Sequence, residues 1–304
     1  MPDSVLRFSV SVLLTLTVFR LAATPFAGPL DGFAVCAEQK SGSIALVDAS
    51  RPGVPDFAWT WNYKEDPGVD RSHVRWFGAP SDCKMIAGRT VLMIDSHGAF
   101  ARIPLATGRV ECYGYIGGNP HSIAQLPGGG FLVTASSVSN RLALVEVAKH
   151  PMEPDRQWKR FYPLDDAHGV EWDARRGCLW AIGESNIVRY AWRPERRELV
   201  EKARFDFRAA AGCGGHDLQP DGRGGYLFTT PRRMMRFDPE TGRFEPALER
   251  KNVKSVSRDK DRGDLLTVVR EVWWTDRLIV RKDGTEYEVG PYAGARFYKA
   301  RWAK

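Results

Sequence analysis

Three histidines at similar positions in a repeating pattern are the residues best suited to chemistry. The chain contains six histidines, and His121, His168 and His216 each stand shortly before an apolar, strand-like segment. Neutral imidazole binds divalent ions such as Zn and Mn, and it also serves as a general base near neutral pH. If the three side chains converge, we expect a divalent metal (Mn, Zn, Ca or similar). Without a metal, the same residues would supply a base.

Three further polar residues fall at the matching position when the segments are aligned. These are Asp82, Lys254 and Tyr298, and the spacings from Asp82 through the histidines to Lys254 are 39, 47, 48 and 38 residues. Alternation along a strand predicts that Asp217, which follows His216, points away from the shared axis. We predict catalytic roles for His121, His168, His216, Lys254 and Tyr298, with the metal on the three histidines.

The segments around these positions form a repeat of four short strands. Phe131–Ala135, Cys178–Ile182 and Tyr226–Thr230 each begin ten residues after a histidine, and further strand-like segments follow after turn residues. Four strands about every 40 to 45 residues are typical of a β-propeller blade. The segment at Phe297 has no successor and the one at Phe33 has no first strand. The sequence therefore predicts an all-β, six-bladed β-propeller whose ring is closed by the C-terminal strand joining the N-terminal blade, and it disfavours a β-sandwich.

Composition agrees with this fold and excludes several others. The chain has 29 Gly and 19 Pro in 304 residues, which suits many tight turns. With 43% apolar and 27% charged residues, the chain resembles neither a disordered nor a multi-span membrane protein. Five cysteines are too few for a disulfide scaffold, and their odd number leaves at least one thiol free; export would permit a disulfide among the others.

The first 27 residues have the features of a secretory signal peptide. Arg7 precedes an apolar run over residues 8–19, and small residues follow up to Ala27. The run is shorter than the roughly 20 residues that span a bilayer, so we expect no stable membrane insertion. We predict a signal peptide over 1–27, a single propeller domain over 28–304, and a monomer that is secreted or periplasmic.

Basic and aromatic residues fall in the loops predicted to surround the histidines. Arginine forks bind carboxylates, and indole faces pack against the C–H faces of sugars. The net charge of +7 then indicates an acidic oligo- or polysaccharide as partner, since no nucleic-acid-binding motif is present. The substrate-binding residues predicted on this face are Arg75, Trp76, Asp82, Arg232, Arg233, Arg270, Glu271, Trp274 and Arg301.

Several motifs resemble those of an uncharacterised family of secreted bacterial six-bladed propellers found in carbohydrate-degrading contexts. They include Asn119-Pro-His-Ser, Asp166-Ala-His-Gly-Val-Glu-Trp-Asp, Gly214-Gly-His-Asp-Leu and Tyr298-Lys-Ala-Arg-Trp. The resemblance implies the fold and the set of central residues, but no established reaction. Three central histidines are also similar, more loosely, to oligogalacturonate lyases, whose propellers have more blades. There a metal neutralises a uronate carboxylate while a side chain removes the adjacent proton.

These observations favour a secreted carbohydrate-active enzyme, a metal-assisted lyase acting on a uronate-containing glycan. In such a reaction the carboxylate charge must be neutralised before the α proton becomes acidic enough for a base to remove it. A metal-dependent hydrolase, either a lactonase or a glycosidase, is the first alternative. A non-catalytic propeller that binds a glycan or a protein partner is the second, because fold alone does not fix function.

Overall fold

The computed structural model describes residues 24–86, 89–147, 154 and 156–303. These residues form 24 β-strands arranged in six four-stranded antiparallel sheets. The sheets are the blades of a propeller, and we number them in chain order. The predicted all-β, six-bladed propeller is therefore confirmed.

Each blade consists of an inner strand followed outward by three neighbours. Blade 1 contains β24 (Phe297–Trp302), β1 (Phe33–Glu38), β2 (Ser43–Asp48) and β3 (Phe57–Asn62). Blade 2 contains β4 (Pro80–Ile86), β5 (Thr90–Asp95), β6 (Ala99–Pro104) and β7 (Cys112–Tyr115). Blade 3 contains β8 (Pro120–Gln125), β9 (Phe131–Ser136), β10 (Arg141–Glu146) and β11 (Lys159–Pro163).

The remaining three blades repeat the same order. Blade 4 contains β12 (Gly169–Asp173), β13 (Cys178–Ile182), β14 (Asn186–Arg193) and β15 (Glu198–Asp206). Blade 5 contains β16 (Asp217–Pro220), β17 (Tyr226–Thr229), β18 (Met234–Asp238) and β19 (Arg243–Leu248). Blade 6 contains β20 (Val253–Arg258), β21 (Leu265–Val269), β22 (Leu278–Lys282) and β23 (Thr285–Val289).

The ring closes through the last strand, as the repeat predicted. Strand β24 pairs antiparallel with β1, from Ala34 opposite Trp302 to Glu38 opposite Phe297. Blade 1 thus takes its inner strand from one end of the described chain and its other three strands from the other end. Radial closure of this kind leaves only short sheet edges exposed.

Apolar residues from facing blades fill the spaces between the sheets. The second strands are the most hydrophobic, as in Val91–Ile94 of β5 and Leu179–Ile182 of β13, and their side chains are fully buried. Both faces of a blade are covered by neighbours, which explains why these strands are continuously apolar rather than alternating. Burying each large apolar side chain contributes about 1.5–3 kcal/mol, so these layers hold the inner strands rigidly in place.

Helical structure is confined to short segments. They are the 3-10 turns Arg71–Trp76 and Pro194–Arg196 and one helical turn at Arg208–Ala211. Among the described residues, no helix has the length and apolar character needed to cross a membrane. All five cysteines carry free thiols, so the disulfide that export would permit is not formed.

The predicted signal peptide lies mostly outside the described residues. Its last residues, from Thr24 onward, are described and contact blade 2. The amide of Phe26 donates to the carbonyl of Leu105 at 2.8 Å, and Arg89 donates to the carbonyl of Gly28 at 2.6 Å. The signal peptide and its cleavage after Ala27 remain predictions.

Candidate functional site

A β-bulge near the start of the inner strand sets the geometry of the central channel. In β4, Pro80 pairs with Asp95 and Asp82 pairs with Ile94, which leaves Ser81 between them without a partner on β5. The register shifts in the same way in β8, β20 and β24. Bulges are frequent beside functional sites because they redirect a side chain out of the regular alternation. The bulged residues in those three strands are His121, Lys254 and Tyr298.

The other two blades reach the same geometry just before their inner strands begin. The amide of His168 donates to the carbonyl of Ile182, the residue that also pairs with Gly169. The amide of His216 donates to the carbonyl of Thr229, which pairs with Asp217. Two consecutive residues therefore oppose one residue in each of these blades as well.

A glycine just before the inner strand of blade 5 allows its backbone to approach blade 4 closely. A Cβ at Gly215 would lie 2.4 Å from the carbonyl oxygen of Gly183 and 2.7 Å from a side-chain carbon of Ile182. Both distances are too short for any other residue. The close approach of the two backbones is what brings His216 beside His168.

The six bulge residues form what we call the upper ring, one from each blade. This finding corrects the predicted alignment, because Ser81 and not Asp82 occupies the position in blade 2. Asp82 lies one residue further along the strand, on the buried side of the bulge. The members of the upper ring are Ser81, His121, His168, His216, Lys254 and Tyr298.

Directly beneath the upper ring, charged side chains close the channel. Arg301 donates to both carboxylate oxygens of Asp217, at 2.6 and 2.7 Å, and lies 3.0 Å from Asp82. Lys299 donates to the carbonyl of His121 at 2.8 Å and lies 3.4 Å from Asp217. We call Asp82, Asp217, Lys299 and Arg301 the buried network.

Three residues of the buried network occupy positions that differ from those predicted from the sequence. Asp82, Asp217 and Arg301 are all 2% exposed or less, and they bind one another rather than facing solvent. Asp82 and Arg301 were predicted to bind substrate, but their charged groups are already paired in the channel. Asp217 was predicted to point away from the axis, but the bulge reverses the alternation after His216.

The electrostatics of the buried network are those of a stable ion cluster. Burial opposes ionisation of Asp217, but Arg301 and Lys299 outweigh it and lower the pKa of Asp217 to about 2. Burial lowers the pKa of Lys299, although Asp217 and Asp82 act in the opposite direction. The pKa of Arg301 is raised, because Asp217 and Asp82 outweigh the effect of burial.

A cavity of about 520 Å³ lies above the upper ring. His121, His168, His216, Lys254 and Tyr298 all line it, so the structure brings together the five residues predicted to be catalytic. The cavity size falls within the usual range for small-molecule sites, about 300–1,000 Å³. Its walls are formed by loops, with Asn119, Ser137, Asp166, Asn252, Arg270, Trp273 and Trp274 among the lining residues.

The residues predicted to bind substrate are distributed unevenly around this cavity. Arg270 and Trp274 line it, and Glu271 lines a smaller cavity beside it. Arg233 pairs with Glu249 at 3.4 Å. The cavity lining does not include Arg75, Trp76, Arg232 or Arg233.

Trp76 packs in the hydrophobic core and does not line the cavity. It is 9% exposed and belongs to the hydrophobic core between blades 1 and 2. Its ring stacks on His73 at 3.7 Å between centroids and on Tyr115 at 5.2 Å. The prediction that Trp76 faces a sugar is therefore wrong.

The central histidines lie close together, but they do not surround a common point. The rings of His121 and His168 are 4.8 Å apart between centroids and nearly parallel, with 7° between their planes. The ring of His216 is 4.5 Å from that of His168. An imidazole nitrogen binds an ion in the plane of its own ring, so two stacked, parallel rings do not direct their nitrogens at one ion.

The remaining contacts of these rings also oppose a metal shared by all three. Nε2 of His216 lies 2.7 Å from Nζ of Lys254, so the amine stands where an ion on that nitrogen would be. Among the described residues, no group of three or more His, Cys, Asp or Glu has the geometry of a metal site. The donor set does not fit the predicted divalent ion, and no step below uses one.

The same contacts instead form a chain of proton donors and acceptors. Nζ of Lys254 donates to the hydroxyl of Tyr298 at 3.0 Å, and that hydroxyl lies 3.1 Å from Nδ1 of His121. With the contact between Lys254 and His216, four members of the upper ring are linked in sequence. A continuous chain of this kind can move a proton between its members without a large movement of the protein.

Burial shifts the pKa of each member of this chain towards its uncharged form. It lowers the pKa of Lys254 to about 7, and the charges of Lys299 and Arg270 act in the same direction. Burial also lowers the pKa of His121 and of His216 well below the ordinary histidine value. It raises the pKa of Tyr298, so the phenol keeps its proton. Lys254 is thus a neutral amine in a large fraction of molecules at pH 7.

His168 differs from the other members in having a carboxylate beside it. Its Nδ1 lies 2.9 Å from the carbonyl oxygen of Asp166 and 3.2 Å from the Asp166 carboxylate. A carbonyl oxygen only accepts hydrogen bonds, so Nδ1 carries the proton and Nε2 is the remaining nitrogen. Burial is the largest single influence and opposes ionisation of Asp166, but the hydrogen bond and charge of His168, with smaller contributions from Glu184 and Lys254, together lower the pKa of Asp166.

Asp166 and Trp273 were missing from the predicted site, although both line the cavity. Asp166 has a positive φ of 46°, a conformation that Asp tolerates at turns, and this places it beside His168. In the sequence, Asp166 stands two residues before His168, and this proximity could have identified it as a site residue. Trp273 is 56% exposed, and its ring centroid lies 5.5 Å from Nζ of Lys254 and 5.4 Å from the Arg270 guanidinium.

Comparison with known proteins places the chain in a family. The model of a family of unknown function, DUF6528, matches residues 22–304. The chain belongs to this family. A search of curated proteins finds no match.

Solved structures share the architecture at low sequence identity. A chain of hydrazine synthase from Kuenenia stuttgartiensis is 14% identical with a TM-score of 0.50, covering 67% of this chain and 63% of its own length. A candidate 6-phosphogluconolactonase from Bacteroides uniformis ATCC 8492 is 15% identical with a TM-score of 0.51, covering 72% of each chain. At these identities the comparison shows the propeller fold alone.

Proposed function

We propose that this protein is a lyase that cleaves an acidic glycan by proton abstraction and β-elimination, with Lys254 as base and Tyr298 as acid. The observation that carries the proposal is the contact of 3.0 Å between these two groups at the floor of the central cavity. Arg270 lines the same cavity and supplies the positive charge that a substrate carboxylate requires. The chemistry differs from the metal-assisted reaction favoured by the sequence, since Arg270 replaces the ion.

The first step is removal of the proton on the carbon next to the substrate carboxylate. That proton becomes acidic when negative charge developing on the carboxylate is stabilised, which is the role of the Arg270 guanidinium. The neutral amine of Lys254 accepts the proton and becomes an ammonium group. Its pKa of about 7 suits this role, because a base works best when its pKa is near the working pH.

The second step is departure of the glycosidic oxygen from the neighbouring carbon. The carbon–oxygen bond breaks as the double bond forms, and the hydroxyl of Tyr298 gives its proton to the leaving oxygen. The ammonium group of Lys254 then returns a proton to Tyr298 through their hydrogen bond. The protein ends the cycle in its starting state, and the products are an unsaturated uronate and a shortened chain.

The closeness of base and acid predicts the stereochemistry of the substrate. Groups 3.0 Å apart approach a sugar ring from the same side, so the proton and the leaving oxygen must lie on one face. In gluco- and manno-configured uronates the C5 hydrogen and O4 share a face, whereas in galacturonate they do not. We therefore expect turnover of glucuronate- or mannuronate-containing chains in preference to oligogalacturonates.

The test is to incubate the purified protein with oligoglucuronates, oligomannuronates and oligogalacturonates and to follow the absorbance of the unsaturated product. We expect Lys254→Met and Tyr298→Phe to lower the rate about 10²–10⁴-fold, the usual contribution of general acid–base catalysis. Lys282→Met is the matched control, because Lys282 is an exposed lysine outside the lining of the central cavity.

Three outcomes would contradict the proposal. Shortened chains without a double bond would identify a hydrolase, the alternative from sequence. Saturable binding without turnover of any of the three glycans would identify a binding protein. Full activity in Lys254→Met would remove the base from the mechanism.

A further inference from the structure

Two smaller cavities lie beside the central cavity and share lining residues. Trp274 lines both the central cavity and a second one of about 270 Å³. Lys40, Gly294 and Ala295 line both the second cavity and a third one of about 340 Å³. We call the second and third cavities together the side groove, which runs along blade 1 away from the upper ring.

Two cations are presented at the inner end of the side groove. Lys40 is exposed in the loop between β1 and β2, next to Gln39 in the wall of the central cavity. The guanidinium of Arg296 lies over the ring of Trp274, 4.4 Å from its centroid. Together they offer positive charge close to the point where the groove leaves the central cavity.

The acidic residues of the side groove are mostly occupied by other contacts. The carboxylate of Glu38 accepts hydrogen bonds from the backbone amides of Lys40, Ser41 and Arg296, at 2.7 to 2.8 Å. Asp276 pairs with Arg277 at 2.9 Å, and Glu271 is an exposed acidic residue at the edge. The lining thus holds two cations and three carboxylates, but Glu38 and Asp276 are engaged within the protein, whereas Lys40 and Arg296 are placed to contact an anion.

The outer end of the side groove is apolar and aromatic. Phe57 stacks on Tyr292 with 5.1 Å between centroids, and the Phe57 side chain remains 38% exposed. Val54 beside it is 56% exposed. Exposed aromatic faces next to cations suit a sugar chain, which has apolar C–H faces and carboxylates at its edges.

We propose that the side groove binds the distal units of an acidic oligosaccharide whose reacting unit lies above Lys254. The identity of the ligand rests on the function proposed above, while the groove itself rests on the lining residues that neighbouring cavities share. Each smaller cavity is near the lower limit of small-molecule sites, about 300 Å³, a size suited to a single sugar unit. The protein should therefore bind longer chains more tightly than isolated disaccharides.

The experiment measures binding separately from turnover. Lys254→Met protein, which lacks the proposed base, is titrated calorimetrically with oligoglucuronates of two, three and four units. We expect the affinity to rise about tenfold from two units to four. Adding Lys40→Glu should lower the affinity for the tetramer about fivefold and leave the affinity for the dimer unchanged. The substitution replaces an exposed attraction between opposite charges with a repulsion between like charges.

A second variant and two controls complete the experiment. Phe57→Ala should lower the tetramer affinity two- to tenfold, the range of a single aromatic contact. Lys282→Glu makes the same charge change at an exposed position away from the groove and should have no effect. Oligoglutamate of four residues carries a similar charge without sugar rings and should bind more weakly than the tetrasaccharide.

The results separate this inference from the proposed function. An affinity that does not depend on chain length, or an equal loss for dimer and tetramer in Lys40→Glu, overturns the side groove even if elimination is observed. Equally tight binding of oligoglutamate contradicts the claim that the groove recognises a saccharide. Length-dependent binding in a protein that forms no unsaturated product supports the groove and overturns the lyase.

Discussion

The upper ring takes one residue from each of the six blades, the buried network beneath it comes from blades 1, 2 and 5, and the chemistry of the two sets differs. In the buried network, Asp217 and Arg301 are charged, paired and almost inaccessible. In the upper ring, Lys254 has a pKa of about 7, so about half of its amine is uncharged at pH 7, and it faces a cavity. Both sets are buried, so burial alone does not separate them. What differs is the presence of opposite charges, which the network has in balance and the ring lacks.

This difference has a physical consequence for each region. A buried ion pair resists titration because removing either charge leaves the other without compensation. A buried amine without a paired carboxylate loses its proton instead, and so becomes a base. The network therefore holds the inner strands in register, while the ring above it is available for proton transfer.

The largest expected effect comes from breaking the network. Asp217→Asn leaves the charges of Arg301 and Lys299 without their main partner, and we expect the free energy of unfolding to fall by about 3–5 kcal/mol. Chemical denaturation measures this loss. Lys254→Met, one layer above, should not lower the free energy of unfolding at pH 7, because folding no longer has to disfavour the protonated amine. Equal losses in the two variants would contradict the division into two regions.

A smaller effect is expected from pH, and it sharpens the same comparison. If Lys254 is the base, kcat/KM should fall about tenfold for each pH unit below 7, because protonation removes the free amine. The charged groups facing Lys254 are Arg270, Lys299, Asp166 and Asp217; His216 and Tyr298 contact its amine. A rate that does not change between pH 5.5 and 8 would exclude this lysine as the base.

Stability should depend on pH differently in the two regions. The unfolded chain keeps the Lys254 proton up to about pH 10, whereas the folded protein releases it at a pKa of about 7. The free energy of unfolding should therefore rise with pH between these values, and less so in Lys254→Met. Asp217, with its pKa lowered to about 2, stabilises the fold above pH 4 and loses this effect only in strong acid. Denaturation curves at pH 6 to 10 measure the Lys254 contribution, and curves below pH 4 measure that of Asp217.

The smallest effect is expected at the cavity wall. Trp273→Ala removes an exposed ring beside Lys254 and Arg270, and we expect KM to rise about fivefold with kcat unchanged. Val272→Ser changes an adjacent residue that is 65% exposed and absent from the cavity lining. A similar rise in KM for both variants would show that the loop matters but the ring does not.

The fold was predictable because repetition makes a weak signal visible. A single four-residue segment such as Tyr226–Thr229 does not distinguish a strand from a buried helix. Six similar units at similar spacing do, and the unmatched segments at Phe33 and Phe297 also predicted how the ring closes. The convergence of His121, His168 and His216 followed from that repeat, since equivalent positions in a propeller face one axis.

The register was not predictable, because a bulge has no clear mark in the sequence. In blade 2, Ser81 and Asp82 are both polar, and only the pairing of β4 with β5 shows that Ser81 belongs to the upper ring. A shift of one residue exchanges a member of the upper ring for a member of the buried network. The same shift explains why Asp217 is a network partner of Arg301.

The loop residues were harder to place than those on strands. Strand positions repeat from blade to blade, whereas loop conformations depend on local turns and contacts that differ in every blade. Arg233 turns towards Glu249, and Trp76 is drawn into the core by His73 and Tyr115. Composition alone therefore overestimated how many basic and aromatic groups surround the cavity.

Strand β24 carries Tyr298, Lys299 and Arg301, and it is the last strand of the described chain to leave the ribosome. A growing chain can form blades 2 to 6 in order, but it has neither the proposed acid nor the cations that neutralise Asp217 until this strand arrives. Catalytic competence and the final stabilisation of the channel would then arise in the same event. Incompletely synthesised copies would be both inactive and marginally stable, which makes them ready substrates for proteolytic removal.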